Sequence, residues 1–191
     1  CPSMCKCTPE ETTLCQRAGL KTLPGEIAAS TISLNLSNNY LRFLNTNTFR
    51  NLTFLHSLWL DGNNLTFLTP GTFHALSRLQ DLHLSRNSRL TYLHANTFRG
   101  LLNLISLDLS HCNIFEIHPL LFSHLPSLER LDLASNNMRY VPQAFKNLSS
   151  LTRLNLYLNN NQISSISDSA FLYLNKLHFL HLSRNNLSSL P

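Results

Sequence analysis

The pattern L-x-x-L-x-L-x-x-N-x-L, with x variable, recurs along this chain every 24 or 25 residues and constrains its fold more than any other feature. The Asn slot is filled by Asn39, Asn63, Asn87, Cys112, Asn136, Asn161 and Asn185. One stretch, Leu151 to Ile166, admits two registers, placing that slot at Asn159 or at Asn161. Choosing Asn161 gives successive spacings of 24, 24, 25, 24, 25 and 24, whereas Asn159 gives 23 and 26 at the end. Asn161 also brings Ile163 to the position where an apolar residue closes the turn. The sixth strand is therefore expected to bury Leu156 and Leu158 and to expose Tyr157 between them.

The alternation L-x-L makes a short strand whose leucines point one way and whose intervening residues point the other. The Asn amide carries donors and an acceptor that satisfy backbone groups where the chain turns away. One repeat cannot bury its own apolar face, but stacked neighbours can, which predicts a curved solenoid of short parallel strands with a mostly irregular convex side. Six phenylalanines, Phe49, Phe73, Phe98, Phe122, Phe145 and Phe171, recur in step and fill the wedge between turns. After Phe145 the distance to the next repeat is eight residues instead of six, so a surplus lies in the segment climbing into strand six. It reads as a seam that pushes Tyr157 outward, or as two repeats joined out of phase.

Four of the five cysteines fall in the first fifteen residues, CPSMCKCTPEETTLC, and read as a disulfide knot made in an oxidising compartment. A four-thiolate zinc site usually shows paired C-x2-C hooks, which are missing here. Four cysteines allow three pairings, and the spacing does not choose among them. Five N-x-S/T triplets, at Asn35, Asn51, Asn64, Asn147 and Asn186, fit secretion and are candidate glycosylation sites. No run of 18 apolar residues is present to span a membrane.

From Thr31 onward these repeats resemble the extracellular leucine-rich repeat proteins, an α/β-type class of solenoid. Residues 1–29, with LKTLPGEI leading into the first repeat, are similar to the cysteine-rich N-terminal cap of that family. The resemblance implies the pairs Cys1–Cys7 and Cys5–Cys15. Residues 30–191 then hold about seven repeats, and the absence of a matching C-terminal cap suggests a piece of a longer protein. NSRLTYLHANTFRGLLNLISLDLSHC, with an extra residue after Asn87 and a cysteine in the next ladder slot, resembles the ectodomains of Nogo receptors and netrin-G ligands. That likeness implies a cell-surface or secreted protein that binds a protein ligand or receptor. Cys112 itself reads as a buried replacement for Asn.

The residues between the strand leucines form columns on the concave sheet. One column runs Asn35, Trp59, His83, Asp108, Asp132, Tyr157, His181, and the column two residues earlier contains Asp81, Arg130 and Phe179. Trp59, the single tryptophan, is a candidate binding anchor. Asp81, Asp108 and Asp132 form an acidic stretch beside Arg130, and Tyr157, Phe179 and His181 gather as an aromatic end. His83 adds a group whose charge acid can change. The ligand-binding expectation is thus Trp59, Asp81, His83, Asp108, Arg130, Asp132, Tyr157, Phe179 and His181, facing a partner with basic residues. The net charge of +5 points elsewhere, because Arg50, Arg78, Arg99, Arg139, Lys146 and Lys176 fall on the outer arc.

Catalysis is not expected, since Ser, His and Asp occupy repeat slots and no nucleophile motif or phosphate-cradling loop occurs. No cofactor is implied. Nucleic-acid binding lacks a basic groove. Metal binding lacks converging ligands, since His178 and His181 point to opposite sides of a strand. A structural matrix role, as in small leucine-rich proteoglycans, is the alternative to recognition, although those proteins mix short and long repeats.

Overall fold

The computed structural model describes residues 1–151 and 153–188, without the side chains of Ser149 and Ser150. The strands are β1 (Lys6–Thr8), β2 (Thr12–Leu14), β3 (Ser33–Asn35), β4 (Ser57–Trp59), β5 (Asp81–His83), β6 (Tyr92–Leu93), β7 (Ser106–Asp108), β8 (Glu116–Ile117), β9 (Arg130–Asp132), β10 (Asn155–Tyr157) and β11 (Phe179–His181). Nine of them form one sheet in the order β1-β2-β3-β4-β5-β7-β9-β10-β11, while β6 and β8 pair separately. All neighbours in the main sheet are parallel except β1 and β2, a hairpin in the cap. The convex side holds 3-10 turns at Leu121–His124 and Gln143–Ser150 and one α-helix, α1 (Asp168–Leu174). No helix among the described residues is long and apolar enough to cross a membrane.

The central leucines Leu34, Leu58, Leu82, Leu107, Leu131 and Leu156 are fully buried and stack in one layer. Behind them the phenylalanines form a spine, with ring centroids 5.8 Å apart for Phe49–Phe73, 6.2 Å for Phe73–Phe98 and 5.6 Å for Phe122–Phe145. Phe171, at the far end of the stack, is only partly covered. Each turn borrows its apolar cover from the next, so truncating one inward leucine removes contacts on both sides.

The Asn ladder joins the layers. The Asn136 amide donates to the carbonyls of Leu109 at 2.9 Å and Leu133 at 3.1 Å, and its oxygen accepts the Ile114 N–H at 2.9 Å. Asn39 makes the same bonds toward the cap, donating to Cys15 O and accepting the N–H groups of Ala18 and Leu20, each at 3.0 Å. The disulfides are Cys1–Cys7 and Cys5–Cys15, as the family likeness implied. Strand β2 adds in register to β3, Thr13 opposite Leu34, so the cap extends the sheet as well as closing the core.

Asn161 is the ladder residue of the sixth repeat, buried and donating to Leu133 O at 3.0 Å and Leu158 O at 3.1 Å, while Asn159 is half-exposed. The surplus falls before the strand. Leu151 N–H bonds Leu148 O, as Leu55 N–H bonds Leu52 O, and Leu154 N–H then closes an additional turn onto Leu151 O. Leu154 O then accepts from the next turn as His56 O does from its own. The surplus therefore falls between Leu151 and Leu154, and Thr152 lies outside the described residues. The expected outward push on Tyr157 is not found, because β10 keeps register with β9, Tyr157 opposite Asp132. The added turn absorbs the excess length.

The residue preceding each ladder position has a left-handed backbone, with φ between 55° and 59° at Asn38, Arg86, His111, Ser135, Asn160 and Arg184, and φ 69° at Gly62. Sequence reading misses this slot because its residues share no chemistry.

Candidate functional site

The sheet brings every nominated recognition residue onto one face. Strand pairing sets Asn35 beside Trp59, Trp59 beside His83, His83 beside Asp108, Asp108 beside Asp132, Asp132 beside Tyr157, and Tyr157 beside His181. Their strands each follow an intermediate–buried–intermediate pattern through β10, which leaves these side chains half-exposed.

Trp59 does not stand free. Its ring lies 5.2 Å from the His83 ring with only 3° between planes, and His83 Nε2 is 2.8 Å from Asp81 Oδ2. Burial of the imidazole opposes its charging. The hydrogen bond with Asp81 and the charges of Asp81, Asp108 and Asp61 outweigh that, so its pKa is raised above 6.5. The stacked pair is thus an aromatic plate with a cationic tendency, set into an acidic surround.

The Asp residues have structural duties of their own. Asp108 Oδ1 accepts the Ser110 N–H at 2.9 Å, Asp132 Oδ1 accepts the Ala134 N–H at 2.9 Å, and Asn35 Oδ1 does the same for Ser37. Each closes the turn leaving its strand, which is why Asn or Asp recurs in this column. Like charges on adjacent strands cost some stability. Arg130 offsets this at 3.3 Å from Asp132 Oδ2. Its guanidinium also covers the Tyr157 ring at 4.7 Å, and Tyr157 packs on Phe179 at 5.5 Å and on His181 at 6.2 Å. At the sheet margin Asp61 pairs with Arg86 at 3.0 Å.

The five sequon residues separate in space. Asn51, Asn64, Asn147 and Asn186 are exposed off the sheet, and Asn35 stands half-buried beside Trp59. Cys112 is half-buried in the ladder, its thiol donating to Leu84 O at 3.3 Å, and desolvation pushes its pKa up to about 12. Among the described residues no cluster of three or more His, Cys, Asp or Glu is placed to hold a metal.

One group of exposed side chains escapes the concave-column reading. Tyr40, Phe43, Phe67, Phe115 and Tyr140 project from the side face where the chain leaves the ladder, Phe43 being 72% exposed and Tyr140 61% exposed. Phe43, Phe67 and Tyr140 stand four residues after Asn39, Asn63 and Asn136, so the repeat period carried the signal.

Residues 53–114 and 103–157 match the leucine rich repeat family. The chain belongs to that family. This leucine-rich repeat protein is similar to TLR13 as solved in the TLR13–ssRNA13 complex, with 34% identity and TM-score 0.78 over 89% of this chain. It spans only 24% of that TLR13 chain. It is also similar to human 5T4 (Wnt-activated inhibitory factor 1, trophoblast glycoprotein), with 30% identity and TM-score 0.81, covering 98% of this chain and 73% of 5T4. No curated protein gives a significant match.

Proposed function

We propose that this is an extracellular recognition module that binds a partner protein on its concave sheet face, at a surface running from Trp59 to His181. The observation that carries the reading is continuity: an aromatic plate, a carboxylate strip and a second aromatic cluster meet edge to edge in one column system. Half-buried aromatics ringed by polar groups are the usual anchors of protein interfaces. The partner presents basic side chains to Asp81, Asp108 and Asp132, with an apolar element over Trp59. The same carboxylates repel a phosphate backbone, so an RNA ligand does not suit this face. The two disulfides favour an oxidising, extracellular or lumenal setting. N-glycans at Asn51, Asn147 and Asn186 leave the sheet clear, whereas one at Asn35 moves the docking position toward Asp108.

The test is capture of cell-surface proteins by the purified chain, compared with a Trp59→Ala, Asp108→Arg double variant. A partner retained by the parent and lost by the secreted, folded variant supports the reading. Equal capture by both removes the concave face from consideration.

A further inference from the structure

The side face carries chemistry opposite to that of the sheet. A hollow of about 460 Å³ is lined by Asn113, Phe115, Asn137, Arg139, Tyr140 and Gln162. Its three amides come from successive turns and are linked head to tail: Asn137 Nδ2 donates to Asn113 Oδ1, and Gln162 Nε2 donates to Asn137 Oδ1 at 3.2 Å. Each retains hydrogen-bonding capacity toward solvent. Phe115 is 49% exposed, and no described carboxylate lies within ion-pair distance of Arg139. Glu116, the neighbouring acid in sequence, is not part of the lining.

A second hollow of about 420 Å³, lined by Lys21, Thr22, Tyr40, Arg42, Phe43 and Asn64, also combines aromatic rings with cations but holds one side-chain amide in place of three. Backbone bonds between turns, such as Asn113 N–H to Leu90 O at 3.0 Å and Asn137 N–H to Ile114 O at 3.0 Å, tie successive turns together along this face. The lining groups therefore sit on a rigid support.

We propose that the hollow formed by Phe115, Arg139, Tyr140 and the Asn113–Asn137–Gln162 amide row is a binding site for an acidic saccharide. The apolar face of a pyranose ring packs on exposed aromatic rings, which bury apolar surface at a polar edge. Its hydroxyls exchange hydrogen bonds with side-chain amides, which both donate and accept. Its carboxylate or sulfate takes the forked guanidinium of Arg139. An acidic peptide has fewer hydroxyls to engage three amides, and a nucleic acid needs a continuous cationic track, which a single guanidinium does not supply. Asn64 is a sequon residue, so a glycan there covers the nearer hollow and leaves the Arg139 hollow as the site. None of these residues belongs to the concave face, so either assignment stands if the other fails.

The experiment is a titration of the isotopically labelled chain with five probes: a uronate-containing hexasaccharide, sialyllactose, neutral chitohexaose, and poly-glutamate and oligothymidylate as charge controls. The expected result is a Kd of about 1 mM or tighter for one acidic saccharide. The two acidic probes separate a polysaccharide source from the terminal sugar of a glycoprotein. Amide shifts should centre on Asn113, Asn137 and Gln162. Arg139→Gln and Tyr140→Ala, both at exposed positions, each weaken binding about tenfold. Trp59→Ala leaves it unchanged. The assignment is overturned by absence of binding for both acidic saccharides, by shifts elsewhere on the wild-type chain, or by undiminished binding to both variants. Equal or tighter binding of a charge control at the same residues also overturns it.

Discussion

The backbone amide of Leu90 bonds the carbonyl of Asn87 at 3.0 Å, so it makes no demand on the side chain of Cys112 in the next turn. At the five equivalent positions, Leu41, Leu65, Ile114, Met138 and Ile163, the amide donates to the oxygen of the next ladder Asn at 2.9 to 3.2 Å. The extra residue after Asn87 lets Leu90 turn back on its own repeat. The following ladder residue then needs only to donate, and a thiol does so toward Leu84 O at 3.3 Å. The insertion and the cysteine are one feature. A cysteine in any other ladder slot would leave a buried N–H without an acceptor.

This makes the ladder positions unequal under mutation. Asn136→Ala orphans the Ile114 amide and the Leu109 carbonyl, while Leu133 O keeps its bond from Asn161, and is expected to cost about 3 kcal/mol. Cys112→Ala loses one weak donor and a little packing, and should cost about 1 kcal/mol or less. Urea unfolding of the two variants beside the parent measures both; equal losses would refute the coupling between Leu90 and Cys112.

Cys112 should also be chemically quiet. With its pKa near 12, almost no thiolate exists at pH 8, and thiolate is the reactive form. Iodoacetamide at pH 8 should modify the unfolded chain far faster than the native one, by about tenfold or more. Mass spectrometry of the quenched reaction shows the difference. Comparable rates in the two states would mean the thiol is not held in a desolvated, protonated form.

His83 gives the sheet a pH dependence. Burial works against its charge, but the hydrogen bond to Asp81 and the charges of Asp81, Asp108 and Asp61 raise its pKa above 6.5. A raised folded pKa contributes stability that is fully present below the unfolded value of about 6.5 and is lost as pH rises through the folded value. The stability difference between the parent and His83→Gln should therefore shift against the parent as pH climbs above 6.5. NMR titration of the imidazole supplies the direct reading, and a midpoint below 6.5 would contradict the geometry.

The left-handed slot before each ladder residue predicts a gain. Ser135 has φ 59°, a conformation glycine adopts without the Cβ penalty. Ser135→Gly should raise the unfolding free energy, by up to about 1 kcal/mol once the greater entropy of the unfolded glycine is set against the relieved strain. Thermal melting tests it, and a lower melting temperature would show that the serine tolerates this backbone at little expense.

The choice of Asn161 over Asn159 is legible in the sequence alone, because the slot must be buried and must stand a fixed distance from the strand leucines. So are the columns that put Trp59 beside His83 and Asp108 beside Asp132, since alternation sends odd and even residues to opposite faces. The stacking of Trp59 flat on His83 is not, nor is the reach of Arg130 across Tyr157. Those depend on rotamers settled between side chains about 24 residues apart, and the letters alone do not specify them. The aromatic side face was overlooked for a different reason: Phe43, Phe67 and Tyr140 follow the period but break the expectation that period-matched aromatics are core.

The spacing of leucines and ladder residues by itself determined the solenoid, its register and which residues share the sheet, because each repeat states its own burial pattern within one short segment. Only the tertiary structure decided which of those neighbours touch, where the surplus before β10 is absorbed, and that a second set of aromatic, amide and guanidinium groups converges on the side. The physical reason is that burial periodicity is a local property of the chain, while side-chain convergence is created by stacking one turn on the next.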